Sequence, residues 1–364
     1  MSAPSAPSSM HFAFLRPEPL PPNGRAVAIV GAGPSGLAAA GYLASLGYQV
    51  DIYDKLPKAG GLMTFGIPSQ RIPPGRIQTG VLELERKYGV NFHLQTKICC
   101  SAPLHEEEGD HFSCDIRGLG ELVEDHDAVI ICTGSWKSRS LNIPGEQLPG
   151  VSTSLQFLFP IRAAGYGKPG VTAPAVQGQD VVVVGAGHSA ADVAHSALRL
   201  GARSVTVCYR KTRRDAPCGL FEVEQMEAAG VRFLEQHTPL RFEGEDSVTG
   251  VVCRVPGQDE PVTIPAQAAA TAIGEIPTPP FAKELGLENV RKGDVKWLNM
   301  TAIENVFVAG DVLTGPSKIG KAIESGLKAA RSLANWLDLK AQSRQAEFQD
   351  EERVPRPSPR TSPH

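Results

Sequence analysis

The sequence predicts an α/β fold with two Rossmann-like dinucleotide-binding domains, the second inserted in the first. Glycine-rich turns stand at residues 31–36 and 185–190, each directly after an apolar, β-branched run. A helical pattern and a further apolar run follow each turn, which is the order of a βαβ unit with a parallel sheet. A Gly-Asp turn that belongs with the first unit comes only at 310–311, after the second unit is complete. The second unit is therefore expected to interrupt the first.

Composition narrows the classes of protein that the chain can represent. With 364 residues, 41% hydrophobic residues and a formal net charge of −3, the chain suits about two globular domains. The weak charge argues against general affinity for nucleic acid or membrane, and no run of about 18 apolar residues predicts a membrane span. No signal peptide is recognisable, so the cytoplasm is the expected compartment.

The cysteines and histidines predict no metal site. The seven cysteines form no CxxC pair and the nine histidines do not cluster. Neither an iron–sulfur cluster nor a dithiol redox pair is therefore expected. Cys132 and Cys208 stand in apolar runs and are expected in the core.

Composition and motif order together predict the domain organisation. The proline- and serine-rich start and the charged, then proline-rich end cannot bury enough apolar surface to order themselves, which predicts tails. Apolar runs that end at Thr133-Gly134 and at 272–274 are expected to mark where the chain leaves and rejoins the first domain. The predicted parts are tails at 1–23 and 340–364, a first dinucleotide-binding domain at 24–160 and 275–339, and a second dinucleotide-binding domain at 161–274. Alternating polar and apolar residues at 107–124 predict a short antiparallel meander.

The first glycine turn is typical of a dinucleotide site. The apolar run Ala26–Val30 predicts a strand buried on both faces. Gly31 permits the tight turn, Gly33 lets the backbone approach a pyrophosphate, and Gly36 lets the next helix pack on the strand. That helix presents the N–H groups of its first turn to an anion. Asp54 ends the second strand, where a carboxylate accepts hydrogen bonds from a ribose.

Further glycines favour FAD as the ligand of this unit. Gly60 and Gly61 follow the second strand, where the long flavin nucleotide must pass close to the backbone. The later turn Gly310-Asp311 resembles the second FAD fingerprint of flavoproteins with two dinucleotide-binding domains, in which the aspartate holds the ribityl chain. The next helix points its positive end at the flavin. Lys318 and Lys321 are candidate catalytic residues that stabilise the reduced flavin, although one of them is expected to be a surface lysine.

The second glycine turn favours NADP. It follows the run Asp180–Val184, and Ala190 replaces the third glycine with another small residue. An NAD-binding unit has an acidic residue at the end of the next strand, whereas this chain has cations at 210, 211, 213 and 214. Such cations suit a phosphate on the adenosine ribose. A solvated basic loop is the alternative.

The fragments GGLMTFGIPSQRIP, YRKTRRDAP, EVEQMEAAGVRF and AGDVLTGPSKIGKAIESGLKAAR resemble the glutamate synthase small (β) subunit family and the flavin module of dihydropyrimidine dehydrogenase. The resemblance runs from about Gly24 to Trp336. With the glycine turns, it implies FAD contacts at Gly31, Ala32, Gly33, Pro34, Ser35, Gly36, Asp54, Lys55, Gly61, Leu62, Arg71, Ile98, Thr133, Gly134, Gly310, Asp311, Ser317 and Ile319. It implies NADP contacts at Gly185, Ala186, Gly187, His188, Ser189, Arg210, Lys211 and Arg214. Asp192 also matches the family pattern.

The function expected from this resemblance is hydride transfer from NADPH to FAD. Because the sequence has no cluster motif, the electrons are expected to pass to a separate acceptor protein, such as a ferredoxin or a large synthase subunit. Two alternatives are an NADPH–ferredoxin reductase of the adrenodoxin-reductase type and a non-catalytic FAD- and NADP-binding subunit. His188 stands where the family often has asparagine, either as a polar contact or as a titrating group near the nicotinamide.

Overall fold

A computed structural model describes residues 10–99, 107–166, 172–277 and 299–353. Its strands are Ala26–Val30 (β1), Gln49–Asp54 (β2), Asn91–Leu94 (β3), Thr96–Ile98 (β4), Asp115–Arg117 (β5), Ala128–Ile131 (β6), Lys137–Ser138 (β7), Val151–Thr153 (β8), Asp180–Val184 (β9), Ser204–Cys208 (β10), Arg232–Leu234 (β11), Thr238–Glu243 (β12), Gly250–Arg254 (β13), Val262–Pro265 (β14), Ala268–Thr271 (β15), Glu275–Ile276 (β16) and Val306–Val308 (β17). Its α-helices are Pro34–Ser45 (α1), Leu62–Phe65 (α2), Pro74–Tyr88 (α3), Leu119–Asp125 (α4), Ser154–Ala163 (α5), His188–Arg199 (α6), Leu220–Ala228 (α7), Asp311–Thr314 (α8) and Ile319–Arg353 (α9).

The first sheet is parallel and buried on both faces. Its strand order is β17-β6-β1-β2-β3. Alternate residues of β1 enter different clusters: Val27 and Ile29 pack with α1, α3 and α9, whereas Ala28 and Val30 pack with α4. This two-sided burial explains why β1 is a continuous apolar run rather than an alternating one.

The second sheet repeats this architecture. Its parallel strands have the order β11-β10-β9-β15-β8. Val181 and Val183 of β9 pack with α5, α6 and α7, whereas Val182 and Val184 face the antiparallel sheet β12-β13-β14. Two parallel Rossmann-like sheets confirm the predicted fold class. Cys132 and Cys208 lie in the core as predicted, 5% and 1% exposed.

The chain passes from the first sheet to the second and back through two connecting segments, which pair as a short antiparallel ribbon. After β6 the chain leaves the first sheet, and it returns there at β17. The segments just outside the sheets, β7 and β16, pair with each other at Ser138–Glu275 and Lys137–Ile276. We propose from this order that the second unit is an insertion in the first. Because β8 is the edge strand of the second sheet, we place the boundary before Val151 rather than at residue 161.

Both predicted tails are partly ordered in the structure. Phe12 is fully buried in the core of the first sheet, and the amide of Leu20 donates to the carbonyl of Ser45 over 3.0 Å. These apolar residues were missed from the sequence because the prediction used the composition of the whole segment, in which proline and serine dominate. At the other end, α9 continues to Arg353, because its Ala, Gln, Glu and Arg residues have favourable helix propensities. Residues 1–9 and 354–364 lie outside the described residues.

The meander predicted at 107–124 is wrong. This region contains the 3₁₀ turn Asp110–Phe112, then β5, which pairs parallel to β4, and then α4. The amide of Gly118 donates to the carboxylate of Glu121 over 2.9 Å and caps the helix. Leu119 and Leu122 are both buried. Their spacing of three residues is that of one helix face, which explains why this segment forms a helix rather than a strand.

Candidate functional site

Residues of both glycine turns line a cavity of about 1410 Å³. It exceeds the roughly 300–1,000 Å³ of pockets for drug-sized ligands, so it can accept part of a longer molecule. The predicted residues that line it are Gly31, Gly33, Pro34, Ser35, Asp54, Lys55, Gly61, Leu62, Arg71, Ile98, Thr133, Gly134, Asp311, Ser317, Lys318, Ile319 and Lys321 from the first unit and Gly187, His188 and Ser189 from the second. The predicted residues outside its lining are Ala32, Gly36, Gly185, Ala186, Arg210, Lys211, Arg214 and Gly310.

The first glycine turn leaves open space in front of α1. A Cβ on Gly31 would lie 2.4 Å from the carbonyl oxygen of Cys132, and one on Gly36 would lie 1.9 Å from that of Gly31. These two glycines therefore allow the turn and the packing of the helix. A Cβ on Gly33 would meet no atom within 4 Å. Gly33 thus borders the space into which the first N–H groups of α1 point.

Asp54 fixes the glycine turn to the end of β2. Its carboxylate accepts hydrogen bonds from the amides of Ala32 and Leu56 over 2.6 and 2.8 Å. Burial raises the pKa of this carboxyl group despite these bonds. Each carboxylate oxygen has a second lone pair, so Asp54 can also accept from a ligand hydroxyl in the cavity.

The Gly310-Asp311 turn meets the first glycine turn at Ser35. A Cβ on Gly310 would lie 2.8 Å from the Cβ of Ser35, and one on Gly326 would lie 2.1 Å from the Ser35 carbonyl oxygen. The hydroxyl of Ser317 donates to the Asp311 carboxylate over 2.5 Å. Residues 316–322, including exposed Lys318 and Lys321, line the cavity where α9 begins.

Lys55 is already held by acidic residues of the same unit. Its ammonium lies 3.0 Å from Glu107, 2.9 Å from Asp110 and 4.4 Å from the ring centroid of Trp136. Lys97 also pairs with Asp110, at 2.5 Å. Burial opposes ionisation of Asp110, but the two lysines outweigh it and lower its pKa. Lys55 therefore reaches the cavity as part of an ion-pair cluster.

Thr133 carries a buried polar atom that needs a partner. Its hydroxyl makes no hydrogen bond to any described residue, although it is shielded from solvent. Leaving such a group unsatisfied costs about 1–3 kcal/mol. Since Thr133 lines the cavity, a polar atom of a bound ligand would satisfy it.

The second glycine turn has the same local geometry as the first. A Cβ on Gly185 would lie 2.2 Å from the carbonyl oxygen of Ala272, whereas one on Gly187 would meet nothing within 4 Å. Ala190 packs fully buried behind the turn. His188 is the exposed first residue of α6 and lines the cavity.

The cations after β10 differ in their surroundings. Arg213 forms two 3.2 Å hydrogen bonds to Glu227 and lies 3.6 Å from Glu235. Arg210, Lys211 and Arg214 are exposed, and within the described part of the chain none of the three forms an ion pair. They follow directly from the strand that pairs with β9.

Several cavity residues were not foreseen in the sequence analysis. Lys97, Glu107, Ser135 and Trp136 line the cavity without belonging to a recognisable motif. Glu275 also lines it, and burial raises the pKa of its carboxyl group. Of these residues, only Glu275 could have been found from the sequence, because it directly follows the apolar run that ends at 272–274.

Two absences hold for the residues that the structure describes. No three His, Cys, Asp or Glu side chains there come together as a metal site. Over the same ranges, no helix has both the length and the apolar character needed to cross a membrane.

Comparisons with known proteins identify a matching family, similar sequences and a similar fold. The model of the pyridine nucleotide-disulphide oxidoreductase family matches residues 25–326. Glutamate synthase (NADPH) small chain of Halomonas elongata is 32% identical over 343 residues, which cover 86% of this chain and 68% of that protein. The NADPH-Fe(3+) oxidoreductase subunit beta of Geobacter sulfurreducens is 30% identical over 372 residues, covering 90% and 52%. Mycobacterium tuberculosis FprA in complex with NADPH has the same fold, with a TM-score of 0.69 at 20% identity over 88% of this chain and 86% of that one.

Proposed function

Because the chain belongs to the pyridine nucleotide-disulphide oxidoreductase family and is therefore an oxidoreductase, we propose that it transfers a hydride from NADPH to bound FAD. The electrons then pass to a separate acceptor protein. The observation that carries this proposal is that residues of both glycine turns line one and the same cavity. Two dinucleotides bound at these turns would bring their reactive ends into one space.

The residues of the first unit fit FAD. Gly33 leaves room for a pyrophosphate at the N-terminus of α1, and the Thr133 hydroxyl awaits a polar partner. Asp54 lies where a ribose diol would donate hydrogen bonds, and Asp311 borders the same cavity. These features support FAD contacts at Gly33, Asp54, Thr133 and Asp311, four of the residues that the family resemblance implies.

The residues of the second unit fit NADP. Gly187 leaves the N-terminus of α6 open in the same way. Arg210, Lys211 and Arg214 are exposed at the end of β10, where a 2′-phosphate would lie if the nucleotide follows the usual Rossmann path. Arginine can donate two hydrogen bonds to a phosphate, which favours NADPH over NADH.

The protein contributes positioning and charge rather than acid–base chemistry. When bound, FAD supplies the two-electron chemistry of the reaction. The N-termini of α1 and α6 would hold the two pyrophosphates, and residues of both glycine turns line the same cavity. The start of α9, with Lys318 and Lys321, faces the cavity and favours negative charge there.

A separate acceptor is supported by the names of the relatives. Those reported above are a small chain and a beta subunit of larger enzymes. We propose that this chain likewise donates electrons to another protein, either a large synthase subunit or a ferredoxin.

Flavin reduction tests the proposal directly. The purified protein is given FAD, freed of excess ligand and mixed with NADPH without oxygen, and the flavin absorbance is followed. We expect rapid bleaching with NADPH. A folded protein that takes up no flavin, or whose flavin NADPH fails to bleach, would contradict the proposal. Titration of the reduced protein with a ferredoxin or a large synthase subunit then identifies the acceptor class.

A further inference from the structure

Arg71 joins the two units at the wall of the shared cavity. It follows α2 in the first unit, and its guanidinium reaches two carboxylates of the second. Nη1 and Nη2 donate to the two oxygens of Glu222 over 2.8 and 2.6 Å. Nε lies 2.5 Å from Oδ1 of Asp192. This fork-like geometry fixes both distance and orientation between the units.

The two carboxylates belong to elements that surround the second glycine turn. Asp192 lies on α6, the helix that begins at this turn, and Glu222 lies in the first turn of α7. Arg71 and Asp192 line the cavity together with His188 and Pro217. The contact is therefore located where a nicotinamide held by the second unit would face the first unit.

The burial of Asp192 makes this contact costly to break. Its side chain is only 10% exposed, and that of Glu222 is 18% exposed. Burial raises the pKa of Asp192 to about 6 even though Arg71 opposes the shift. Among the described residues, Arg71 is the cation that forms an ion pair with Asp192, so its loss would leave a charged Asp192 buried without that partner, which is strongly disfavoured.

We propose that Asp192 and Glu222 are positioning residues: acting through Arg71, they hold the second unit so that the nicotinamide faces the flavin. This inference rests on the proposed function. An arginine has five N–H donors, and Nη1 and Nη2 each direct one of them at Glu222. Nε lies against Oδ1 of Asp192 as an ion pair without hydrogen-bond geometry. The second N–H of Nη1 and that of Nη2 remain for a phosphate, so Arg71 can also make the FAD contact that the family resemblance implies.

The test compares Glu222→Gln with Glu227→Gln. Both residues are on α7 and both pair with an arginine, but Glu227 pairs with Arg213 inside the second unit. The rate of flavin reduction is measured at saturating NADPH, together with NADPH affinity and flavin content. We expect Glu222→Gln to slow reduction by about 10- to 100-fold while affinity changes less than about threefold. Glu227→Gln should reduce at the wild-type rate.

A charge exchange separates positioning from a general structural role. Arg71→Glu alone should slow reduction, and the double variant Arg71→Glu/Glu222→Arg should recover a large part of the rate; both rates are expressed per bound flavin, because Arg71 is also an implied FAD contact. The long-wavelength charge-transfer absorbance of the NADPH complex should fall and recover in parallel. Unchanged reduction in Glu222→Gln, or an equal loss in Glu227→Gln, would overturn the inference.

A readout without cofactors keeps this inference distinct from the proposed function. Small-angle scattering of the flavin-free protein reports how closely the units are held. We expect a larger radius of gyration in Glu222→Gln than in the wild type and Glu227→Gln. Identical radii in all three proteins would overturn the positioning role. A wild-type flavin that NADPH fails to reduce would instead contradict only the proposed function.

Discussion

At the scale of single residues, the cations after β10 differ in the contacts that their side chains make. Arg213 is engaged by Glu227 and Glu235, so it serves the packing of α7 and β11. Arg210 and Arg214 are exposed and free of ion pairs among the described residues. The family resemblance already left Arg213 out of the implied NADP contacts, and its ion pairs give a physical reason for this.

Arg210→Ala should therefore discriminate between the nicotinamide nucleotides. Loss of a charge-assisted contact to the 2′-phosphate should raise the KM for NADPH about tenfold or more. NADH has no such phosphate, so its KM should stay within about threefold. Steady-state kinetics with both nucleotides measures this. Arg213→Ala is the matched control and should not discriminate between them; equal losses for both nucleotides in Arg210→Ala would show that Arg210 only supports the fold.

A histidine–aspartate pair predicts a pH-dependent stability. His126 lies 3.6 Å from buried Asp51, which also accepts from His93 and Asn91 over 3.0 and 3.1 Å. The neighbouring Asp51 carboxylate raises the pKa of His126 although burial opposes this, and the Leu122 carbonyl, 3.0 Å from Nδ1, adds to the rise. Burial opposes ionisation of Asp51, but its hydrogen bonds outweigh this and lower its pKa.

The sign of each shift defines the pH window. The raised pKa of His126 contributes stability that is complete below about pH 6.5 and lost as pH rises through the folded-state value. The lowered pKa of Asp51 contributes stability above about pH 4 that is lost on acidification. His126→Gln should therefore cost about 1 kcal/mol of unfolding free energy near pH 5.5 and less near pH 8.5. Urea unfolding at both pH values measures this, and the Asp51→Asn background should abolish the difference.

At the scale of elements, the two glycine turns are equivalent and can be blocked one at a time. Gly33 and Gly187 both have extended backbones, with ψ of −177° and 178°, and open space at the Cβ position. Valine fits either backbone but would fill the space in front of the helix. Gly33→Val should abolish flavin retention, whereas Gly187→Val should keep the flavin and prevent its reduction by NADPH.

Absorbance after gel filtration and circular dichroism distinguish these outcomes from misfolding. Both variants should keep the wild-type helical signal. Gly31→Val is the contrasting variant, because its Cβ would lie 2.4 Å from a carbonyl oxygen, and it should unfold. Normal flavin content in Gly33→Val would remove this turn from the proposed FAD site.

Elements with a strong local signal could be predicted from the sequence. Each βαβ unit could be recognised because its buried strand, glycine turn and helix are adjacent in the chain. The helix α4 was missed because its two buried leucines and its Gly118 cap gave a pattern too short to distinguish from alternation. The cavity residues Lys97 and Trp136 could not be found, because only the tertiary fold brings them beside the glycine turns.

At the scale of the whole molecule, the two units depend on each other through the cavity. An apolar cluster that includes Phe65 and Phe112 of the first unit and Phe159 of α5 also joins them. Ligands that bind the cavity should therefore stabilise both units, since the folded state alone presents the complete site.

Added FAD should make the protein yellow, with about one flavin per chain, and raise its thermal midpoint in a single transition. Saturation at about 100 times the dissociation constant contributes about 2.7 kcal/mol. Calorimetry at several FAD concentrations checks this. Two separate transitions, of which FAD moves only one, would show that the units unfold independently.

The buried Phe12 has a practical consequence for shortening the chain. Gly41 and Gly80 form a notch for this segment: a Cβ on Gly41 would lie 2.1 Å from the Phe12 carbonyl oxygen, and one on Gly80 would lie 2.8 Å from its ring. Trimming to Gly24, as the predicted tail at 1–23 would suggest, would remove Phe12 from the core of the first sheet. The apolar surface that Phe12 covers would then be exposed to solvent and prone to self-association. Deletions and affinity tags at this end are therefore better placed before Met10.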